Sequence, residues 1–328
     1  MWKYLLRRSL YALFTVWVIS LLAFAIIQLP PGDYVTDLLK QLRAQAGNVP
    51  PEWEERMRQI YGFDDPFIIQ YFKWMRNIIL HGQFGYSFFY KRDAGEMIVE
   101  RLPMSFALSL FSTFFVWIVA LPIGFYSAVR RYSIVDYAAS FMGFFGMAIP
   151  NFLLALIVLF VTYRYMGGAL IGLFSKNFAE APWSWAKFVD LLKHIWVPMV
   201  IIGVGSTAGL IRTMRANLLD ELNKPYVETA RAKGLSEMRL LIKYPLRHAL
   251  NPFVSTLGWM LPGLVSGEVI VSMVLNLPTS GPVLYQALVQ QDQYVAAGFI
   301  LVLSTLTVIG TFISDLLLAW VDPRIRLQ

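Results

Sequence analysis

The chain has no cysteine, which excludes disulfides and thiolate metal sites. Its 328 residues include only three histidines, His81, His194 and His248; they are far apart, belong to no H-E-x-x-H pattern, and read as interfacial or loop residues. No G-x-x-x-x-G-K-[S/T] phosphate loop occurs, so the chain has no such means of binding ATP. No G-x-S-x-G elbow occurs either, which argues against an intramembrane hydrolase. Charged residues make up 15% of the chain, and those inside apolar runs reduce to Asp136, Glu268 and Asp315. Carriers driven by an ion gradient use several buried ionisable groups or broken helices in repeated halves; three scattered carboxylates and no detectable repeat support that class weakly.

What fills the chain is apolar. It is 57% hydrophobic with a mean hydropathy of +0.55. Its apolar residues collect into six runs: Ser9 to Leu29, Met104 to Ala128, Asp136 to Thr162, Ile195 to Ile211, Phe253 to Leu277 and Val295 to Val321. A spanning helix needs about 20 such residues. In lipid, backbone groups must bond within their own segment, and strand alternation is absent, so the expectation is an all-α polytopic transmembrane bundle of six spans. The first run follows Lys3, Arg7 and Arg8 and contains Ala23-Phe24-Ala25, but it is longer than a cleavable signal core and reads as a span.

Basic residues flank one side of these runs. With the N terminus cytoplasmic, that side holds Lys3, Arg7, Arg8, Arg130 and Arg131, then eight Lys or Arg between Arg212 and Arg247, then Arg324 and Arg326. The short loop from Pro278 to Tyr294 on the other side has none. The positive-inside rule therefore places both termini in the cytoplasm and accounts for the net charge of +7 without nucleic acid as a partner. The organisation expected is a tail and first span over residues 1–30, a partly folded extracytoplasmic segment over 31–102, and a transmembrane domain over 103–328 with a cytoplasmic loop at 212–251.

In the outer segment, Pro51 opens a helix that Gly62 closes, with Trp53, Met57 and Ile60 on one face. Asp64 or Asp65 caps a second, with Pro66 in its first turn, a Phe67, Tyr71, Trp74, Ile78 stripe, and Gly82 at its end. The stripe faces either a partner or the bundle. Residues Gln83 to Tyr90 suit a short extended piece at the membrane interface. Gly205-x-x-x-Gly209 and Gly263-x-x-x-Gly267 predict close helix approaches, and Pro150, Pro198 and Pro262 mark kinks or helix starts. Asp136 sits at the cytoplasmic interface, Asp315 bonds a neighbouring loop, and Glu268, the deepest carboxylate, either lines a path or serves a structural hydrogen bond.

The most informative stretch is Tyr226-Val-Glu-Thr-Ala-Arg-Ala-Lys-Gly234. Lys224-Pro225 starts a helix, Gly234 ends it after about two turns, and Ser236 caps another. A short polar helix pair of defined geometry between two spans suits a connector to a soluble protein; the plainer alternative is a polar hairpin loop.

Glu228-Thr229-Ala230-x-x-x-Gly234 resembles the E-A-A-x-x-x-G motif of binding-protein-dependent ABC importer permeases, with Thr229 in place of an alanine. The family's continuation I-x-L-P appears as Tyr244-Pro245-Leu246-Arg247, a departure common in the dipeptide, oligopeptide and nickel branch. Resemblance to that branch runs nearly end to end. Leu29-Pro30-Pro31-Gly32-Asp33 is similar to its L-P-G-D, Tyr61-Gly62-Phe63-Asp64 to its L-G-L-D, Gln70-Tyr71 to its Q-Y and Phe84-Gly85-Tyr86-Ser87 to its L-G-x-S; Pro103, Pro150 and Val321-Asp322-Pro323-Arg324-Ile325-Arg326 fit as well.

The resemblance implies a type I ABC importer permease fold in a bacterial or archaeal cytoplasmic membrane. It implies a second permease, similar or a copy, two ATP-binding subunits that hold ATP and Mg, and an extracytoplasmic solute-binding protein. This chain would hold no cofactor and would not be an enzyme. Tyr226, Glu228, Thr229, Ala230, Lys233 and Gly234 would couple to the ATPase; Glu268 is a candidate path residue by its depth in the span and not by the family pattern, which has its glutamate at Ser272. Where the branch reads V-E-T, this chain has Val271-Ser272-Met273, which leaves peptide and oligosaccharide both open as solutes.

Overall fold

The computed structural model describes residues 2–28, 39, 43, 50, 53, 55, 56, 65–87, 89–166, 172–251, 253 and 269–321. Helices dominate, as the apolar runs require. They are α1 (Trp2–Gln28), α2 (Phe67–His81), α3 (Ala94–Val129), α4 (Ile134–Ala148), α5 (Asn151–Met166), α6 (Trp185–Leu222), α7 (Pro225–Ala232), α8 (Glu237–Lys243), α9 (Pro245–Ala249), α10 (Ser280–Val289) and α11 (Gln293–Val321). A two-stranded hairpin, β1 (Tyr86–Ser87) against β2 (Arg92–Asp93), precedes α3.

Among the described residues four helices are long and apolar enough to cross a membrane: Tyr4–Ile26, Ala94–Val129, Trp185–Leu222 and Gln293–Leu317. The third run departs from expectation. Instead of one straight span it is a helix pair, α4 and α5, bent by 91° and counted as a fifth span only if the pair crosses together. Pro150 explains the break: it has no N–H to donate, and it biases Ile149 to the extended φ −90°, ψ 121° seen there. Most of the fifth run, with Glu268, Gly263, Gly267 and Pro262, lies outside the described residues, so six spans are an expectation and not a count. The helix expected from Pro51 to Gly62 lies mostly outside them too.

The fourth run, the shortest in sequence, belongs to the longest helix. α6 has 38 residues, about 57 Å at 1.5 Å per residue, and so overshoots a ~30 Å hydrocarbon core at one or both ends. Its first turns are polar, yet buried. Lys187 Nζ donates to the carbonyls of Ala179 (3.4 Å) and Ala181 (2.5 Å) and lies 4.9 Å from the Phe174 ring centroid. Asp190 accepts the Ser175 N–H at 2.8 Å, and His194 Nδ1 bonds the Asp190 carbonyl at 2.8 Å. His194 is therefore a buried helical residue, not an interfacial or loop one; His81 and His248 are exposed.

The chain divides into two compact units. One comprises Met1–Leu6, Pro103–Pro282 and Thr307–Gln328 and centres on α6. There α4 runs antiparallel along α6, and Gly124, Gly146 and Gly203 supply the close approaches. A Cβ at Gly124 would stand 2.6 Å from Met214 Cβ, one at Gly146 2.9 Å from Val204, and one at Gly203 2.8 Å from Phe115. At Gly205 the approach is looser, a Cβ there standing 3.7 Å from Asn151 Oδ1 and 3.9 Å from the Gly146 carbonyl oxygen, and among the described residues one at Gly209 meets nothing within 4 Å. In the same unit the Tyr4 hydroxyl donates to the Asp315 backbone carbonyl at 3.3 Å.

The second unit comprises Arg7–Leu102 and Val283–Leu306. The α2 stripe faces inward here. Tyr71 and Trp74 are buried with Ala23 and Phe24 of α1 and Ala297 and Leu301 of α11, and the Tyr71 hydroxyl shares a 2.6 Å hydrogen bond with Ser20. Gly82, at φ +68°, ends α2 as expected, but Asp65 does not cap it: its carboxylate pairs with Lys73.

The hairpin is held by Ser87, which donates to Asp292 at 2.5 Å and accepts the Tyr90 N–H at 2.9 Å. Burial pushes the Asp292 carboxyl above the usual carboxylate range, partly offset by hydrogen bonds from Ser87, Val295 and Phe89. With the folded pKa above the unfolded one, the folded state binds more protons in the window between them, so stability falls as pH rises through the raised value. Lowering the pH from neutral toward that value is expected to raise the thermal midpoint of the wild-type chain. Asp292→Asn should flatten this dependence; an unchanged slope in differential scanning fluorimetry would count against the assignment.

Candidate functional site

The loop that follows α6 folds into three short helices, α7, α8 and α9. α7 begins as the sequence predicts, with Pro225 at its first position after extended Lys224, where a missing N–H costs no hydrogen bond. It ends at Lys233, whose N–H donates to the Thr229 carbonyl at 3.1 Å, and Gly234 reverses the chain at φ +77°. That is the left-handed region, which glycine enters without the Cβ penalty. Ser236 does occupy the N-cap position of α8, but its side chain makes no capping hydrogen bond.

The helix pair has two distinct faces. Inward, Val227 and Ala230 of α7 and Leu240 and Leu241 of α8 are buried together, with Phe125 and Val129 of α3 and Leu222 of α6 packed against them. A buried aliphatic contact of this kind is worth about 1.5–3 kcal/mol per large side chain, enough to fix a two-turn helix that would be unstable alone. The Tyr226 ring lies 5.7 Å from that of His248, and its hydroxyl donates to Glu221 in the last turn of α6. Burial first, and then that carboxylate, push the Tyr226 hydroxyl far above its ordinary pKa, so it remains a donor. The turn is thereby tied to α6 by a hydrogen bond as well as by the peptide chain.

Outward, Glu228, Thr229, Arg231, Lys233 and Gly234 are exposed. Thr229 Oγ1 donates back to the Pro225 carbonyl at 3.0 Å. Across the turn Arg231 forks onto Glu237 at 2.7 and 3.3 Å, and each partner strengthens the charged form of the other. Of the six residues expected to couple to a partner, four thus lie on the open face, while Ala230 is buried in the hinge and Tyr226 is half-buried against α6. Glu268 lies outside the described residues.

The sequence reading missed the second helix's contribution. Met238 and Ile242 of α8, one turn apart, are 59% and 56% exposed and extend the open face with apolar surface. Their i, i+4 spacing was the available signal. Ile242 also borders an apolar cleft of about 260 Å³ lined by Leu121, Pro122, Phe125, Met214, Leu246 and Leu250. Among the described residues no cluster of His, Asp and Glu is suited to a metal ion. The geometry is that of a rigid two-helix knuckle at the end of a long helix, with a mixed polar and apolar outer face.

Comparisons with known proteins agree on a family. The model of the family described as "Binding-protein-dependent transport system inner membrane component" matches residues 120–327, and the model of its N-terminal region matches residues 1–109. The chain is 35% identical over 324 residues to the oligopeptide transport system permease protein AppB of Bacillus subtilis, covering 98% of this chain and 99% of that protein. It is 31% identical over 364 residues to the inner membrane ABC transporter permease protein YejB of Escherichia coli O157:H7, covering both chains fully. It is 29% identical over 342 residues to the dipeptide transport system permease protein DppB of Escherichia coli K12, covering 99% of each. Among solved structures, an inward-facing form of the MetNI methionine ABC transporter matches with a TM-score of 0.51 and 21% identity, over 69% of this chain and 96% of that one.

Proposed function

The chain belongs to the binding-protein-dependent transport system inner membrane components, and from that premise we propose that it forms half of the path through which a peptide is imported. It is a multi-pass inner-membrane permease subunit of an ABC importer with the type I importer fold. The finer assignments are ours. Peptide is preferred to oligosaccharide because relatives that align over nearly the whole chain are named for oligopeptides and dipeptides.

The working assembly is this permease with a second one, either a similar chain or a copy, above two ATP-binding subunits, with an extracytoplasmic binding protein delivering solute. ATP and Mg are held by the ATP-binding subunits and none by this chain. Both termini and the 212–251 loop are cytoplasmic, in accord with the distribution of Lys and Arg.

The observation that carries the reading is the knuckle itself. Its inner face is anchored by Val227, Ala230, Leu240 and Leu241, its outer face is open, and α6 continues from it without a flexible joint beyond Asn223 and Lys224. A rigid helix transmits a displacement that a loose loop would absorb. Glu228, Thr229 and Lys233 meet the ATP-binding subunit, Gly234 sets the angle between the two helices, and Ala230 and Tyr226 hold the knuckle to the bundle. Glu268 remains a candidate path residue on sequence grounds.

Affinity purification of the tagged chain from cells expressing its neighbours should recover ATP-binding subunits in a stable complex. Proteoliposomes of that complex should import peptide only with ATP, Mg and the binding protein. Uptake by the chain alone under a proton or sodium gradient would overturn the reading in favour of a secondary carrier. The solute that raises the thermal midpoint of the binding protein identifies what is carried.

A further inference from the structure

We propose that Asp136 and Arg215 form a positioning pin that makes α4 move with α6, so that displacement of the knuckle reaches the bent α4–α5 pair. The inference rests on the permease reading above. Asp136 lies in the first turn of α4 and is 3% exposed. Its carboxylate accepts Arg215 Nε at 2.7 Å and Nη2 at 2.9 Å, a two-point fork, and also accepts the Tyr132 N–H at 2.9 Å. Its own N–H donates to the N-cap Ser133 Oγ at 3.2 Å. Tyr132 adopts φ +64°, unusual for a side chain of its size, and the hydrogen bond from its N–H is part of what holds that turn. The loop entering α4, the first turn of α4 and the last third of α6 are thus fastened at one carboxylate.

The remainder of the seam is of a different kind. From the pin toward the bend, the α4 side offers Gly143 and Gly146, and the α6 side offers Ala208 and Val204. A Cβ at Gly143 would lie 3.7 Å from that of Ala208, and one at Gly205 of α6 would lie 3.7 Å from Asn151 Oδ1 where α5 begins. Small apolar surfaces like these let helices approach and also let them slide or roll, because no directional bond opposes the motion. A bidentate guanidinium–carboxylate pair fixes both axial register and rotation. Arg215 stands seven residues before the end of α6, about 11 Å of helix from the knuckle. The pin is therefore placed where force enters the seam, and the bend at Pro150 is at the far end of the lever.

The test uses the full complex in proteoliposomes with Arg215→Lys, which keeps the charge opposite the buried carboxylate and so protects folding, but replaces the fork with a single-point ammonium. Asp136→Asn is the companion variant, keeping an acceptor for Tyr132. The expected result is a fall in peptide imported per ATP hydrolysed of about tenfold, within the range of coupling changes, with complex assembly and stimulated ATPase within twofold of wild type.

A structural readout accompanies it. In a chain without native cysteine, spin labels at Ile134→Cys and Thr213→Cys, both exposed, should show one narrow distance through the ATPase cycle in wild type and a broadened one with Arg215→Lys. Unchanged import per ATP, or parallel loss of assembly, ATPase and import, would overturn the pin. Absence of ATP-driven import in the wild-type complex would instead overturn the permease reading.

Discussion

Gly234→Val should abolish uptake by the assembled transporter while leaving the chain folded and in the membrane. The glycine sits at φ +77°, and an L-residue in that region costs roughly 1–2 kcal/mol, most for a β-branched side chain. Among the described residues no atom lies within 4 Å of a Cβ built there, so the cost is conformational and not a collision. The chain relieves the strain by unwinding the end of α7 or opening its angle to α8, and either change moves Glu228 and Lys233 relative to Met238 and Ile242. A loss of stability this small cannot by itself remove a membrane protein, whereas a misplaced docking face can remove coupling altogether. Gly234→Asn separates the two explanations, since asparagine tolerates the left-handed region and should keep most of the uptake. Normal uptake and normal stimulated ATPase activity in Gly234→Val would sink the assignment of this turn.

The second large effect is expected at Gly124, and it is of the opposite kind: loss of the fold without reference to any partner. A Cβ there would stand 2.6 Å from Met214 Cβ and 2.9 Å from the Ile211 carbonyl oxygen. Neither is the free end of a flexible side chain, and Met214 is fully buried. Leucine at 124 therefore has to push α3 and α6 apart, at a cost of at least about 1–3 kcal/mol and with disruption of the packing of Ala128, Met214 and Leu218 beneath it. Gly124→Leu should give little monodisperse protein in detergent, and what is recovered should melt well below wild type. Gly209→Ala, with no described atom within 4 Å, should leave yield and melting unchanged.

These two glycines show what the chain states openly and what it conceals. Gly234 is legible because its reason is local: Pro225 and Gly234 bracket eight polar-leaning residues, and both ends of α7 fall where those two residues put them. Gly124 carries no local mark. Its reason is Met214, ninety residues on, and the small-x-x-x-small pattern that attracted notice at Gly205 and Gly209 lies elsewhere on the helix. The spans show the same division. Length and hydropathy suffice to place α1, α3 and α11, but α6 is longer than its apolar run because Lys187, Asp190 and His194 are polar residues made compatible with burial by partners in the 174–190 region. The Asp136–Arg215 pair joins positions 79 apart, and composition assigned the two residues to an interface and a basic loop. Periodicity reveals which face of an element is apolar; it does not reveal which distant residue meets it.

The break between α4 and α5 has an electrical consequence. Ending one helix at Ala148 and starting another at Asn151 leaves up to about four carbonyls and about four amides without helical partners, and gathers about half a negative and half a positive charge within a few residues. Three of these groups are used locally, the Phe145 carbonyl accepting from Ile149 and the Leu153 and Leu154 amides donating to the Pro150 carbonyl. The rest lie about 22 Å along the helix from Ile134, a distance shorter than a hydrocarbon core about 30 Å thick. Backbone left unbonded inside such a core must face protein or water, never lipid. A straight span would have sealed its own dipoles; this bent pair sets the negative end of one helix beside the positive end of the next, so the break needs polar company that neither helix supplies for itself.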